Sequence, residues 1–311
     1  MGTTSDSMLD GTRAALSVGL VLAFGACGGT REAAWEDDTT ANNQDIPAVS
    51  AEESQSALAQ ADAAWAERDD TARLQEAIEG YTAVTQNSPD DYDAWVKLSR
   101  AHYFMADCHH RFDEAKAEDM MTSFQAGTQA AERGLMSLSP EFKERMQNGS
   151  RVDQAIEVLG ESAVPALYWR ASNLGKWASA DSFATLLSYK DEIRAVMAHC
   201  LENDRDYFHW GPDRYFGVFF GRAPSFAGGD LERSKQHFEA SLSREPNYFG
   251  THVLMAQDYA VKAQERAVFD EHINFVLNGD PMSAGPELGP ENRCEVRKAQ
   301  ALQEQAPTLF E

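Results

Sequence analysis

The sequence predicts an all-α protein, built as a helical-repeat array with irregular helical insertions. Three observations carry that reading. Ala77, Tyr81, Val84 and Pro89 stand at offsets 0, +4, +7 and +12, and Ser234, Phe238, Ser241 and Pro246 repeat those offsets. The spacing lays three residues on one helical face ahead of a proline that stops the helix. The chain is 43% hydrophobic and 25% charged and is rich in Ala, Leu, Glu and Gln, the composition of a folded protein biased to helix. No run of alternating β-branched residues bounded by turn signals appears, so about a dozen helices and no substantial sheet are expected.

Taken in order, the first apolar stretch is Ala14–Ala26, after Arg13. A bilayer-spanning helix needs roughly 20 apolar residues, so this shorter run reads as a signal-peptide core. It ends in Leu22-Ala23-Phe24-Gly25-Ala26-Cys27, small residues directly before a cysteine, which is similar to a lipobox although Phe24 stands where an aliphatic residue is usual. Residues 1–27 are therefore read as a signal peptide with a lipobox-like cysteine, and Cys27 as the lipidation site. Residues 28–52 are small, polar and acidic and are expected to form a flexible acidic tether, with the folded body over 53–311. No later segment is long and apolar enough to span a membrane, so the body is expected in the periplasm, held to the membrane by the lipid anchor only. Cys108, Cys200 and Cys294 remain; one bridge and a free thiol suit an oxidising compartment, but the spacings select no pair.

Charge narrows the partners. With 27 Lys and Arg against 50 Asp and Glu, the formal net charge is −23, which repels phosphate backbones and argues against nucleic acid.

Phe269, Ile273, Val276 and Pro281 form a third, degenerate copy of the repeat, with its proline 35 residues after Pro246. After each of the first two prolines a new helix begins: Trp95, Leu98 and Ala101 follow Pro89, and His252, Met255, Ala256 and Tyr259 follow Pro246, with His252 standing where the first copy has Trp95. These residues resemble the tetratricopeptide family, and the fold class expected is all-α, a tetratricopeptide-like helical-repeat array with irregular helical insertions. The insertions fall between Arg111 and Gly229, where the period lapses but helical patterns persist in Ala117–Leu138, Ser162–Ala180 and Asp191–Asp204.

Two segments draw attention as a site. Trp169, Asn173 and Trp177 fall at i, i+4 and i+8 on one helical face, which fits either a pocket wall or a buried aromatic stripe with Asn173 bonded to backbone. Gly211–Pro224 carries four aromatics and two arginines and looks too glycine-rich for a plain helix; the Gly228-Gly229-Asp230 sequence after it reads as a tight turn and a helix cap, not a phosphate cradle.

Tyr168–Ala178, Gly211–Phe238 and Thr251–Lys262 together resemble the TatT family, the T component associated with TRAP transporters, and the likeness extends from roughly Ala51 onward. The resemblance implies a non-enzymatic periplasmic lipoprotein that forms a homotrimer and docks with the TRAP substrate-binding protein. It further implies a cavity or pore in each subunit that passes or holds a small organic ligand. The residues expected to meet ligand or partner are Trp169, Asn173, Lys176, Trp177, Arg214, Tyr215, Phe216, Arg222, Lys235, His252, Gln257, Tyr259 and Lys262, with the basic groups orienting an anion near the aromatics. Catalysis finds little support. Asp107-Cys108-His109-His110 with Asp113 lacks metal-ligand spacing, and His199, His209, His237 and His252 have no partner that forms a recognisable triad. No catalytic residue, metal or cofactor is therefore expected. The alternative is a scaffold for envelope protein assembly, in which no solute enters the chain.

Overall fold

A computed structural model describes Met1, residues 31–36 and residues 51–310. Cys27, the lipobox-like residues before it, and residues 28–30 and 37–50 of the expected tether lie outside the described residues. Among the described residues the chain is all-helical, with no strand. The helices are α1 (Ala51–Ala66), α2 (Thr71–Asn87), α3 (Tyr92–Phe104), α4 (Ala117–Leu138), α5 (Pro140–Gln147), α6 (Val152–Ala155) and α7 (Val164–Asp181). They continue as α8 (Phe183–Asn203), α9 (Tyr207–Arg222), α10 (Leu231–Arg244), α11 (Phe249–Leu254), α12 (Val261–Ala263), α13 (Arg266–Asn278) and α14 (Gly289–Leu309). π-Helical turns extend α3 through Met105–His109 and α11 through Met255–Ala260.

Local chemistry sets the starts. Side-chain oxygens of Asp70, Asp91, Ser139, Ser182 and Asp230 accept from first-turn amides of α2, α3, α5, α8 and α10, satisfying donors that no helical carbonyl reaches. The repeated offsets mark the faces that are buried. Ala77, Tyr81 and Val84 on α2, Ser234, Phe238 and Ser241 on α10, and Phe269, Ile273 and Val276 on α13 are each no more than 1% exposed. The first two copies also share a bond. Trp95 Nε1 donates to the Pro89 carbonyl at 2.8 Å, and His252 Nε2 meets the Pro246 carbonyl at 2.9 Å. A carbonyl only accepts, so Nε2 carries the His252 proton and Nδ1 accepts from His272 Nδ1, 2.9 Å away.

The glycine-rich run behaves differently from its expectation: Gly211–Arg222 is continuous helix within α9. Its glycines serve close packing. A Cβ at Gly217 would lie 2.8 Å from the Phe238 ring of α10, and one at Gly221 2.5 Å from the Asp258 carbonyl oxygen. The Gly228–Asp230 reading holds: Gly228 has φ +96°, and Asp230 accepts from the Arg233 amide at 3.1 Å.

Among the described residues the core divides into three apolar clusters. The largest joins α4 to α9, a second joins α1 to α3 with Cys294, and a third joins α10, α11, α13 and α14. A disulfide between Cys108, in the first π-turn, and Cys294, in α14, crosses 186 residues of sequence with Cα atoms 5.5 Å apart; Cys200 is free and buried. The tether expectation also meets a difference. Arg31–Glu36 does not hang free, because Ala33, Ala34 and Trp35 are buried against α4, α5 and α7. The segment carries a tryptophan and an arginine that its acidic surroundings masked.

Closing so long a loop restricts the unfolded chain strongly, so replacing Cys108 and Cys294 by serine should lower stability by about 2–4 kcal/mol. Urea unfolding read by far-ultraviolet dichroism checks this, with the midpoint moving to lower denaturant.

Candidate functional site

Between α3, α7, α8, α9, α11 and α14 lies a hollow of about 300 Å³, at the small end of ligand cavities. One end is aromatic. Tyr103, Tyr168, Trp169, Phe208 and Tyr248 line it, with Tyr103–Trp169, Trp169–Phe208 and Phe208–Tyr248 centroids 5.3, 4.7 and 5.8 Å apart. Burial pushes the hydroxyls of Tyr103 and Tyr248 well above the usual tyrosine pKa, so both stay protonated and neutral. Phe183 and Leu187 of α8 also line the hollow yet are 67% and 47% exposed, which places its apolar mouth on that side.

The aromatic end is shaped by an unusual turn. Phe208, His209 and Trp210, at the start of α9, have φ of 47°, 56° and 59°. Left-handed backbone costs a non-glycine residue about 1–2 kcal/mol, so three in a row persist only because neighbours hold them. Arg214 is the holder. Its guanidinium donates to the Phe208 carbonyl at 2.7 Å and to the His209 carbonyl, and lies 4.3 Å from the Tyr248 ring centroid. Arg214 is 4% exposed, lines the hollow, and has no carboxylate partner among the described residues. Pro212, just inside the right-handed part of α9, suits a helix start because its missing amide has no partner to lose.

The other end is ionic. Asp107, in the first π-turn, binds Lys298 at 2.6 Å, Arg111 at 2.7 Å and Lys176 at 2.9 Å. Burial by itself would raise the Asp107 carboxyl; Lys176, Lys298 and Arg111 outweigh it and hold it well below the usual carboxylate range. Burial lowers Lys176 to about 8, opposed in part by Asp107. Lys176 lines the hollow and keeps 32% of its side chain accessible. For Lys298 burial also opposes the charge, but Asp107 and Glu295 prevail and raise its pKa. A second hollow of about 310 Å³ shares Arg111, Gln257 and Lys298 with the first, so the ionic cluster stands between the two.

Of the residues singled out in the sequence, Trp169, Lys176, Arg214, Tyr215, Arg222 and Gln257 come together around the hollow. The others line neither hollow. Asn173 is fully buried and donates to the carbonyls of Trp169 and Ser99, and Trp177 packs on Tyr189. Phe216 stacks on Phe220 and His237; His252 serves the Pro246 carbonyl. Tyr259 donates to Glu265 at 2.8 Å, Lys235 Nζ lies 6.0 Å from the Tyr259 ring, and Lys262 is exposed on α12. Sequence reasoning missed Tyr103, Phe208, Tyr248 and Lys298, and weighed Asp107 only as a metal ligand. The aromatic run Tyr207–Trp210 ahead of Gly211 was the one local signal; Lys298 sits on an ordinary amphipathic helix and carried none.

Among known families, the model described as TRAP transporter T-component matches residues 124–310. No curated protein matches the chain. The matched part begins inside α4, later than the likeness read from the sequence, and takes in every wall of the hollow except α3, its π-turn and Arg111.

Asp107 has a depressed folded-state pKa, so its stabilisation is complete above the unfolded value near 3.8 and is lost as pH falls through the lower folded value. Asp107→Asn, which strands the cations around it, should cost about 3 kcal/mol at neutral pH and flatten the acid limb of the stability curve. Denaturant titrations at pH 7 and at pH 3 check both.

Proposed function

The chain belongs to the TRAP transporter T-component family, and from that premise we propose that its hollow receives a small organic anion with an apolar body on behalf of the transporter. Family membership supports association with a TRAP transporter; the finer reading rests on the hollow. Among the described residues, seven Lys and Arg line it against three carboxylates, in a chain whose formal charge is −23. That reversal of sign, beside an aromatic chamber, is the observation that carries the reading.

In this reading the apolar body of the ligand lies among Tyr103, Trp169, Phe208 and Tyr248, and the anion meets Arg214. The adjoining hollow behind Arg111, Gln257 and Lys298 supports passage of a ligand as well as retention. The helix pairs are tetratricopeptide-like, as the shared Trp95 and His252 bonds suggest. The protein is a non-enzymatic periplasmic lipoprotein, lipidated at Cys27 and assembled as a homotrimer. It docks with the TRAP substrate-binding protein over the mouth at Phe183 and Leu187. The scaffold alternative leaves the aromatic and cationic lining without a purpose.

Anilinonaphthalene sulfonate, an aromatic anion, and N-phenylnaphthylamine, its neutral counterpart, test the reading by fluorescence titration. Arg214→Gln, which keeps an amide donor for the turn's carbonyls without the charge, should weaken sulfonate binding by roughly tenfold to a hundredfold, the worth of one hydrogen bond to a charged group, while the neutral probe changes little. Equal binding of both probes to wild-type and variant would remove the anion from the proposal; unchanged binding of the neutral probe reports that the α9 turn survives.

Lys176 supplies a second check. It is charged below about 8 and neutral above, and the sulfonate does not titrate in this range, so sulfonate affinity should fall as pH rises from 7 to 9. Lys176→Met should abolish that slope.

A further inference from the structure

Glu132, on α4, has none of its side chain exposed. A buried carboxylate needs donors in place of water, and here most come from far upstream. Arg31 donates to both carboxylate oxygens, at 2.8 and 2.6 Å, the Ala34 amide donates at 2.9 Å, and Arg170 of α7 donates through Nε at 3.0 Å. Beside this, Trp35 sets its ring against Phe142 of α5, centroids 6.1 Å apart, with the Arg170 guanidinium 4.9 Å from the indole. The Arg31 side chain is 5% exposed and Trp35 9%. Arg31–Glu36 is thus a clamp, ionic at one end and apolar at the other.

Covalent reach gives the clamp a consequence. Four peptide units separate Cys27 from Arg31, and fully extended they span at most about 14 Å. We propose that the clamp holds the α4–α5 face directly against a lipid bilayer, with acyl chains on Cys27 in the membrane and residues 28–30 as the spacer. This rests on the lipoprotein reading above. A formal charge of −23 gives no attraction to anionic lipid, so the contact is imposed by covalent length and the clamp and is insensitive to salt. Neither residues 31–36 nor α4 nor α5 lines either hollow, so the contact occupies no lining residue.

Arg31 is the only Lys or Arg between Cys27 and Arg68, and Arg68 is itself 3% exposed. Trypsin therefore frees the body from vesicles by cutting after Arg31. With full-length acylated protein in phosphatidylcholine vesicles, the wild-type body should resist release under limited trypsin, and Trp35→Ala should be released roughly tenfold faster as its open population grows. A fluorophore on the exposed α5 position of Glu144→Cys should be strongly quenched by a bilayer acceptor at low and high salt alike, and should lose most of that quenching when Trp35→Ala is added. If Trp35→Ala fails to fold, Arg31→Gln, which keeps the apolar contact, takes its place in the fluorescence measurement. Wild-type protein without acyl mass on Cys27 overturns the lipoprotein reading. Acylated protein that trypsin releases as fast as the variant, or whose α5 label is unquenched or quenched only at low salt, overturns the clamp with the anchor intact.

Discussion

A carboxylate with 3% of its surface exposed stays ionised only when cations replace the water it has lost. Asp107 meets that condition with Arg111, one turn away, Lys176 from α7 and Lys298 from α14. Those bonds fix the mutual placement of three elements that lie up to 191 residues apart. The adjacent disulfide repeats the tie between the π-turn and α14. The same bonds explain why the corner stays open. Three cations around one carboxylate repel each other, and Glu295 relieves Lys298 and, at longer range, Arg111, so the surplus positive charge is carried at the wall of the hollow by Lys176. Collapse there would crowd like charges in a medium that screens them poorly.

At the opposite end the wall depends on strain held in check by dipoles. The left-handed turn at Phe208–Trp210 brings Phe208 into the wall between Trp169 and Tyr248. Two of its carbonyls accept from Arg214, and the Tyr248 ring covers the guanidinium, so the cation is compensated by dipoles and a π face and by no formal charge among the described residues. Such a cation is desolvated, rigid and still short of a counter-ion. That is the state in which an arriving anion gains most, because the cost of ordering the arginine has already been met by the fold.

The helical faces were legible in the sequence because helix burial is a periodic constraint: Tyr81, Phe238 and Ile273 announced their faces by spacing alone. Even the exchange of Trp95 for His252 was visible as a positional equivalence, and its reason, a ring nitrogen donating to a proline carbonyl, needed coordinates. Gly217 and Gly221 misled. Glycine counts against helix by propensity, but close approach of Phe238 and Asp258 overrides it. The site was half legible. Trp169 and Arg214 stood in distinctive runs, whereas Asp107, Tyr248 and Lys298 converge from three separate parts of the chain. No local pattern encodes that convergence. Arg31–Glu36 was hidden for a related reason, since its acceptor, Glu132, is 101 residues away from Arg31.

The two ends of the hollow differ in origin. The aromatic end is built mostly from α7, α9 and Tyr248, all inside the stretch that matches the family. At the ionic end Asp107, Arg111 and Cys108 precede residue 124 and so lie outside that stretch, while Lys176, Lys298 and Cys294 lie within it. The unmatched part of the chain therefore does more than extend the body, because it contributes the carboxylate that organises the matched part's lysines. The disulfide then binds the two parts covalently at that junction. A substitution before residue 124 thus reaches the charge of the hollow directly, by changing how many of its cations remain paired.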